Sequence, residues 1–275
     1  MAAKQAESTV PARGGCRPGR RLTPGVREPI SARGMQRLFR FRNIHRISGP
    51  ARPGGRLRAA ALATAFLAAG LLSAGPAAAA DPALRLLAFG DSLIHGYGLP
   101  AGEAFPQQLE AVLQDEGFDI EVINGGNSGD TTAAGRARLD WALSDQPDLV
   151  LVTLGGNDML RGLEPSETYR NLDAILGRLK REGLPVLLTG MLAPRNLGND
   201  YADQFDAIYP DLAEKHGVAL YPFFLDGVAL EPELNQPDGI HPNAEGVAVI
   251  VERIMPSVLE LVTQTRENAE EDQGG

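Results

Sequence analysis

The chain has 275 residues and a formal net charge of −9, but its charges are distributed unevenly along the sequence. Residues 1–80 contain 14 of the 26 Lys and Arg residues and two of the 35 acidic residues, so they carry +12 and residues 81–275 carry −21. Because phosphate contacts need clustered Lys and Arg, we expect the acidic part to bind no nucleic acid and to be repelled by anionic membrane surfaces.

The basic N-terminal part has the composition of a secretory leader. An arginine-rich stretch precedes an apolar run at about 59–75, and the small residues Ala78 and Ala80 follow it. These are the three parts of a signal peptide, so we predict that residues 1–80 are a leader cut after Ala80. The alternative is a membrane anchor, since the apolar run approaches the shortest length that spans a bilayer. The Ala-rich composition favours cleavage, which would place the mature chain in the periplasm or outside the cell.

The only cysteine, Cys16, lies in this leader, so the predicted mature chain has no thiol that could form a disulfide. Its stability must then come from packing, which roughly 195 residues in one domain can supply. We predict one domain at residues 81–265, followed by a disordered acidic tail at residues 266–275.

Short apolar runs alternate with longer helical patterns along this domain. The predicted strands lie at residues 84–89, 120–123, 149–154, 186–188 and 218–221. The predicted helices lie at residues 105–116, 132–143, 166–182, 201–216 and 244–263, and Pro256 should kink or interrupt the last one. Strands that are apolar on both faces and alternate with helices indicate a parallel sheet covered on both sides. We therefore predict an α/β fold of three layers, built on an open, doubly wound sheet of about five strands.

The first predicted strand runs directly into Gly90, Asp91 and Ser92. In open parallel sheets ligands bind outside the carboxyl ends of the strands, which makes Ser92 a candidate nucleophile. A serine hydroxyl needs a base to take its proton and hydrogen-bond donors to stabilise the oxyanion that its attack creates. The alternative is that Asp91 or Ser92 only caps the helix that follows.

Two further loops at predicted strand ends could supply such donors. Gly129 lies after the second strand and just before a helix, so its N–H could point at an anion. Asn157 follows the third strand within Gly-Gly-Asn-Asp, where its side-chain amide could enter the cleft. The alternative for both loops is plain turn chemistry, because turns favour the same residue types.

The segment Asp238-Gly-Ile-His241 offers a base. A carboxylate three residues before a histidine, in a turn that contains glycine, can reach Nδ1 and leave Nε2 facing a substrate. Alternatively, this pair is half of a metal site or a hydrogen-bond network within a loop. We find no further His or Cys at metal-ligand spacing, although Asp130 and Asp158 leave the metal alternative open.

The other two histidines of the predicted mature chain have weaker indications. His216 fits a helix C-terminus beside Gly217, where a positive charge is favourable. His95 lies in the loop after Ser92, where it is either a polar surface residue or part of the pocket.

Three motifs that mark other classes of enzyme are missing from the sequence. It contains no G-x-S-x-G elbow, no phosphate-binding G-x-x-x-x-G-K-[ST] and no G-x-G-x-x-G that opens a helix. This disfavours an α/β-hydrolase, a nucleotide hydrolase and a dinucleotide enzyme.

Four segments in order resemble the conserved blocks of the GDSL family, also called SGNH hydrolases. FGDSLIHGYG resembles the first block with Ser92, NSGDTTAAG the second with Gly129, GGND the third with Asn157, and DGIHPN the last with Asp238 and His241. The resemblance extends over about residues 84–264. Within the family the chain looks most like the exported multifunctional acyl-CoA thioesterase, lysophospholipase and arylesterase branch.

The resemblance implies a flavodoxin-like fold and a serine hydrolase that cleaves carboxylic esters and thioesters through an acyl-enzyme. It implies a triad of Ser92, His241 and Asp238, with no cofactor and no metal. The implied oxyanion hole consists of the Ser92 N–H, the Gly129 N–H and the Asn157 side chain.

Apolar residues of two later segments would suit acyl chains, namely Met191, Leu192, Leu197, Phe223, Phe224 and Leu225. The alternative for the two phenylalanines is a place in the core. We expect a monomer that acts on small acyl ester or thioester molecules and has no membrane anchor after cleavage. The alternative functions are an exported glycan deacetylase and a non-catalytic lipid- or glycan-binding module with the same fold.

Overall fold

The computed structural model describes residues 83–274. The predicted leader and its cleavage site after Ala80 therefore lie outside the described residues. No helix within residues 83–274 is both long enough and apolar enough to cross a membrane.

Within residues 83–274, five parallel strands form the central sheet, which confirms the predicted number and direction. Their order across the sheet is β2-β1-β3-β4-β5, the doubly wound order found in flavodoxin. The strands are β1 (Leu84–Gly90), β2 (Ile120–Gly126), β3 (Leu149–Thr153), β4 (Val186–Thr189) and β5 (Ala219–Tyr221).

Helices cover both faces of the sheet. They are α1 (Ser92–His95), α2 (Phe105–Asp115), α3 (Thr132–Leu143), α4 (Gly156–Leu160), α5 (Pro165–Arg181), α6 (Asn199–His216) and α7 (Ala244–Gly274). The chain moves one way across the sheet from β1 to β2 and the other way from β2 onward. Because such crossovers are right-handed, α2 lies on one face and α3, α5 and α6 lie on the other. Helix α7 contacts α2, so it completes the first face and the three-layer prediction is confirmed.

The strands in the middle of the sheet are buried on both sides. Every residue of β3 is buried, and so are the residues of β1 from Leu86 to Gly90. Gly90 lies opposite Gly126 of β2 and Thr153 of β3. The three strands therefore end level with one another, so the segments that follow them start at the same edge of the sheet.

The sequence does not predict the two short helices α1 and α4, because four or five residues are too few to show a helical period. Each one starts two or three residues after the end of a strand. The Asp91 carboxylate caps α1 by accepting the N–H of Leu93 at 3.0 Å.

The last helix continues to Gly274, where we predicted a disordered tail. Of the two effects predicted for Pro256, a kink or an interruption, the interruption is absent, because the proline lies inside the helix. Residues 266–271 are mostly Arg, Glu and Ala, which are good helix formers. The Arg266 guanidinium also lies over the ring of Phe118, 4.8 Å from its centroid. Around Pro256, burial of Ile254 and Val258 holds the helix together despite the missing backbone hydrogen bond.

Candidate active site

Ser92, His241 and Asp238 form one chain of hydrogen bonds at the carboxyl edge of the sheet. Ser92 is the first residue of α1, immediately beyond β1. Its Oγ lies 2.9 Å from Nε2 of His241, although 149 residues separate the two along the chain. Nδ1 of His241 lies 2.7 Å from Oδ2 of Asp238. The structure thus brings together the three residues that the sequence singled out.

A tight turn holds the Asp238 carboxylate. Its Oδ1 accepts the backbone N–H groups of Ile240 and His241, each at 3.0 Å, and Gly239 between them has a φ of +74°. The hydrogen bond to His241, with the two backbone donors, lowers the pKa of Asp238 to about 2. The carboxylate is therefore ionised at neutral pH and accepts Nδ1–H, which leaves the Nε2 lone pair facing Ser92.

Tyr97 packs against the histidine and was not found from the sequence. Its ring centroid lies 4.7 Å from that of His241, and about half of the Tyr97 side chain is exposed. The Tyr97 carbonyl accepts a hydrogen bond from Nε2 of Gln236 at 2.7 Å. The aromatic ring covers one face of the imidazole and restricts how it can rotate.

Asn157 and Asp91 form a second pair next to Ser92. Asn157 belongs to α4, and its Nδ2 donates to Oδ2 of Asp91 at 3.2 Å. Asp91 is only 2% exposed, and this burial raises its pKa to about 6 even though the hydrogen bonds from Leu93 and Asn157 oppose the shift. An amide has two N–H bonds, so one can stay on Asp91 while the other serves a ligand oxygen in the cleft that Asn157 lines.

Gly129 lies in the loop that leads from β2 into α3. This loop is tied to the end of β1, because Asn127 donates its N–H to the Gly90 carbonyl at 3.0 Å. Gly129 has a φ of +86°, a backbone conformation that favours glycine. Its carbonyl accepts a hydrogen bond from Nη2 of Arg161 at 2.7 Å.

Asp130 and Asp158, for which the sequence left a metal-binding role possible, both accept hydrogen bonds that hold these loops. Asp130 accepts Nε of Arg138 at 2.5 Å. Asp158 accepts the N–H of Thr132 at 2.8 Å and the hydroxyl of Thr132 at 2.5 Å, and it is 1% exposed. Among the residues that the structure describes, no group of three or more His, Cys, Asp or Glu side chains could hold a metal ion.

A cleft of about 400 Å³ opens beside Ser92 and His241. Its walls are mostly apolar and include four of the six residues that the sequence suggested, namely Met191, Leu192, Phe223 and Leu225. Phe224 is buried in the core against Phe105, which is the alternative that the sequence left open for it. The suggestion of Leu197 is wrong, because this residue lies on a short 3₁₀ turn outside the cleft.

Further apolar residues of the cleft were not found from the sequence, among them the large side chains of Met159, Leu160, Leu230 and Ile240. Met159 and Leu160 follow the predicted motif Gly-Gly-Asn-Asp, and Ile240 lies inside the segment from Asp238 to His241. This proximity to the site motifs could have indicated them. Leu230 is 91% exposed and has a φ of +66°, which is strained for leucine. Nothing in the local sequence around it predicts this geometry.

His216 lies where the sequence placed it, at the end of α6, and its Nε2 lies 2.7 Å from Oδ1 of Asp173. His95 is exposed at the end of α1 and contacts the Gly129 loop through Ser128. The two histidines therefore have different surroundings from His241.

With this fold and this constellation of side chains, the chain belongs to the GDSL-like lipase/acylhydrolase family, whose model matches residues 88–249. It is 43% identical over 176 residues to an arylesterase of Vibrio mimicus, covering 64% of this chain and 88% of that protein. It is 42% identical over 187 residues to thioesterase 1/protease 1/lysophospholipase L1 of Escherichia coli strain K12, and the match covers 68% of this chain and 87% of that protein. The solved structure of AlinE4, an SGNH-hydrolase family esterase, shares 50% identity, with a TM-score of 0.56 over 65% of this chain and 96% of that one.

Proposed function

We propose that this protein hydrolyses carboxylic esters and thioesters, with Ser92 as nucleophile, His241 as general base and Asp238 as the group that orients it. The observation that carries the proposal is the hydrogen-bond chain from the Ser92 hydroxyl through the imidazole to an ionised carboxylate. Esterase and thioesterase names among its relatives support the same chemistry.

In the first half of the reaction, the Ser92 Oγ attacks the acyl carbonyl carbon while its proton passes to Nε2 of His241. Asp238 stabilises the imidazolium that forms. The carbonyl oxygen becomes an oxyanion, which the Ser92 N–H, the Gly129 N–H and the Asn157 side-chain amide stabilise. The bond from the acyl carbon to the leaving oxygen or sulfur then breaks, the leaving group takes the proton from His241, and the acyl group remains on Ser92.

In the second half, water attacks the acyl-enzyme while His241 accepts its proton. The bond to Oγ breaks, Ser92 recovers a proton from His241, and the carboxylic acid leaves. The Ser92 proton that left with the leaving group is replaced by one from water, so the enzyme returns to its starting state and the chemistry needs no cofactor.

The apolar walls of the cleft support substrates with short to medium acyl chains. We therefore propose aryl esters, acyl esters, lysophospholipids and acyl thioesters as the substrate class, in line with the names of the relatives. A non-catalytic binding module is disfavoured, since it would have no need of a base hydrogen-bonded to the serine.

The test is to treat the purified protein with a fluorophosphonate probe and to assay p-nitrophenyl esters of increasing length. Wild type should be labelled and active, Ser92→Ala should lose both properties, and Ser166→Ala, which removes an exposed hydroxyl on α5, should keep them. A folded wild-type protein that shows neither labelling nor hydrolysis would reject the proposal. Release of acetate from acetylated glycans, without activity on longer acyl esters, would instead indicate a deacetylase.

We also propose that residues 1–80 are removed during export and that the mature chain acts as a monomer in the periplasm or outside the cell. The basic flank, apolar run and small residues before Asp81 support the cleavage. The intact mass of the protein recovered from the periplasm or medium should correspond to a start at Asp81, and light scattering should give the monomer mass. A chain that stays in the membrane fraction with its apolar run intact would overturn the export proposal.

A further inference from the structure

Two exposed side chains, those of His95 and Arg161, form hydrogen bonds with the loop on either side of the Gly129 amide. Nδ1 of His95 lies 2.7 Å from Oγ of Ser128, the residue just before Gly129. Nη2 of Arg161 donates to the carbonyl of Gly129 itself at 2.7 Å. Both His95 and Arg161 are exposed.

His95 and Arg161 each lie at the end of a short helix that also carries another proposed oxyanion donor. His95 ends α1, whose first residue is Ser92. Arg161 caps the C-terminus of α4, and its N–H donates to the carbonyl of Asn157 at 3.2 Å. The loop is thus joined to both of the other groups that would stabilise the oxyanion.

The covalent geometry makes these two positions decisive for the Gly129 N–H. The peptide that donates this N–H joins Ser128 to Gly129, and the next peptide contains the carbonyl that Arg161 holds. Glycine by itself allows a wide range of φ and ψ, and Gly129 has a φ of +86°. The hydrogen bond on the Ser128 side chain and the one on the Gly129 carbonyl restrict that range. An oxyanion is stabilised best by donors that are already oriented.

Further along the loop a third contact is partly buried and has a different character. Arg138 bridges the carboxylate of Asp130 and the carbonyl of Gly90, at 2.5 and 2.7 Å. The Arg138 guanidinium also lies 4.4 Å from the centroid of the Phe89 ring. This contact belongs to the packing of α3 on β1, so its removal would disturb folding, whereas His95 and Arg161 can be changed at the surface.

We propose that His95 and Arg161 are positioning residues, which hold the Gly129 N–H in register with the Ser92 N–H and the Asn157 amide. This inference rests on the proposed function. Since exposed hydrogen bonds and ion pairs contribute little to folding, the contribution of these two residues lies in the rate of the reaction and not in stability.

The experiment compares His95→Ala, Ser128→Ala, their double variant and Arg161→Met with wild type. Each single variant should lower kcat about tenfold with little change in KM, less than the 100-fold or more expected for complete loss of an oxyanion donor. The double variant should be no slower than the slower of His95→Ala and Ser128→Ala, because those two remove the same hydrogen bond. His95→Asn, which keeps a side-chain donor, should recover part of the rate.

A second readout separates positioning from a merely structural role. An alkyl boronic acid forms a tetrahedral adduct with a serine hydroxyl, so its affinity should fall by the same factor as kcat/KM, while the Tm stays within about two degrees of wild type. The matched control is His216→Ala, which removes another histidine hydrogen bond at the end of α6 and should keep the wild-type kcat.

Variants with kcat and boronic acid affinity within twofold of wild type would overturn the inference. So would a loss of rate that follows a loss of Tm with unchanged affinity for the boronic acid. A wild-type protein that neither reacts with the fluorophosphonate nor hydrolyses esters would overturn the proposed function and this inference together, whereas an active wild type with unaffected variants rejects the inference alone.

Discussion

Two aspartates within the site differ in pKa because their surroundings differ. Asp91 is almost completely buried, and desolvation raises its pKa to about 6. Asp238 is hydrogen-bonded to His241 and partly exposed, and its pKa falls to about 2. The same side-chain chemistry therefore gives one carboxylate that stays ionised and one that exchanges its proton at mildly acidic pH.

Removing the Asp238 charge should slow the reaction strongly and leave the fold intact. Asp238→Asn no longer orients the imidazole or stabilises the imidazolium, so we expect kcat to fall on the order of 10³- to 10⁴-fold. Steady-state kinetics together with circular dichroism would measure both properties. The control is Asp226→Asn, which breaks an exposed ion pair with Arg253 and should keep wild-type activity. Less than a tenfold effect for Asp238→Asn would contradict its proposed role.

The buried Asp91 should make stability depend on pH between about 4 and 6. In this window the unfolded chain releases the Asp91 proton while the folded chain retains it, so the free energy of unfolding contributed by Asp91 falls as the pH rises. The shift from 3.8 to about 6 corresponds to about 3 kcal/mol. Asp91→Asn removes this dependence.

Urea unfolding at pH 4, 5, 6 and 7 would measure the effect. The stability of Asp91→Asn relative to wild type should rise as the pH increases, and Asp115→Asn serves as the control for loss of an exposed carboxylate. Parallel curves for Asp91→Asn and wild type would show that Asp91 has an ordinary pKa.

Close backbone approaches between elements position the site as much as its side chains do. A Cβ on Gly126, the last residue of β2, would lie 2.2 Å from the backbone N of His95. The end of β2 and the end of α1 can therefore be this close only with glycine at position 126. The Ser92 helix and the loop that carries Gly129 consequently depend on a residue that touches no substrate.

Gly126→Ala should thus destabilise the protein and impair the site together. The backbone of α1 must move to admit the new methyl group, and we expect a loss of roughly 1 to 3 kcal/mol with a lower kcat. Gly177→Ala is the matched control, because the added Cβ in α5 would have only ordinary contacts at 3.6 Å. That variant should be more stable by about 0.5 to 1 kcal/mol, since alanine is the better helix former. Chemical denaturation would compare the two, and equal stability for them would contradict this account.

At the scale of the whole molecule, segments far apart in the chain build one apolar cleft. Leu160 follows β3, Leu192 follows β4, and Leu230 and Ile240 precede α7. Their side chains are between 46% and 91% exposed, which is unusual for a group of large apolar residues in one place. The strained backbone of Leu230 supports a functional reason for its position.

Leu230→Gly should therefore have two effects of opposite sign. The positive φ becomes favourable, so stability should rise by about 1 kcal/mol, while kcat/KM for octanoyl esters should fall several-fold and that for acetyl esters should not. Melting curves and a series of p-nitrophenyl esters would measure both effects. Trp141→Ser, which removes an exposed apolar side chain on α3, is the control and should leave the preference for chain length unchanged. An unchanged preference for Leu230→Gly would mean that acyl chains do not reach it.

Much of the fold could be read from residue order alone. Strands buried on both faces appear as continuous apolar runs, so their predicted ends agree with the structure to within one to three residues. The helix ends predicted at Gly117, Gly183 and Gly217 also agree with the structure, because each glycine has the positive φ that terminates a helix. The site motifs were found because their chemistry depends on neighbours in sequence, as in the turn from Asp238 to His241.

Proximity between distant segments was decided by tertiary packing. Three features depend on how the strands end together at one edge of the sheet, where Gly90, Gly126 and Thr153 are level. They are the 2.9 Å contact of Ser92 with His241, the bond between His95 and Ser128, and the place of Leu230 in the cleft. Local propensities act over a few residues, whereas these contacts join groups up to 149 residues apart. Only the packed sheet and its helices bring such groups within a hydrogen bond of each other, because burial of the apolar faces selects one arrangement of the elements.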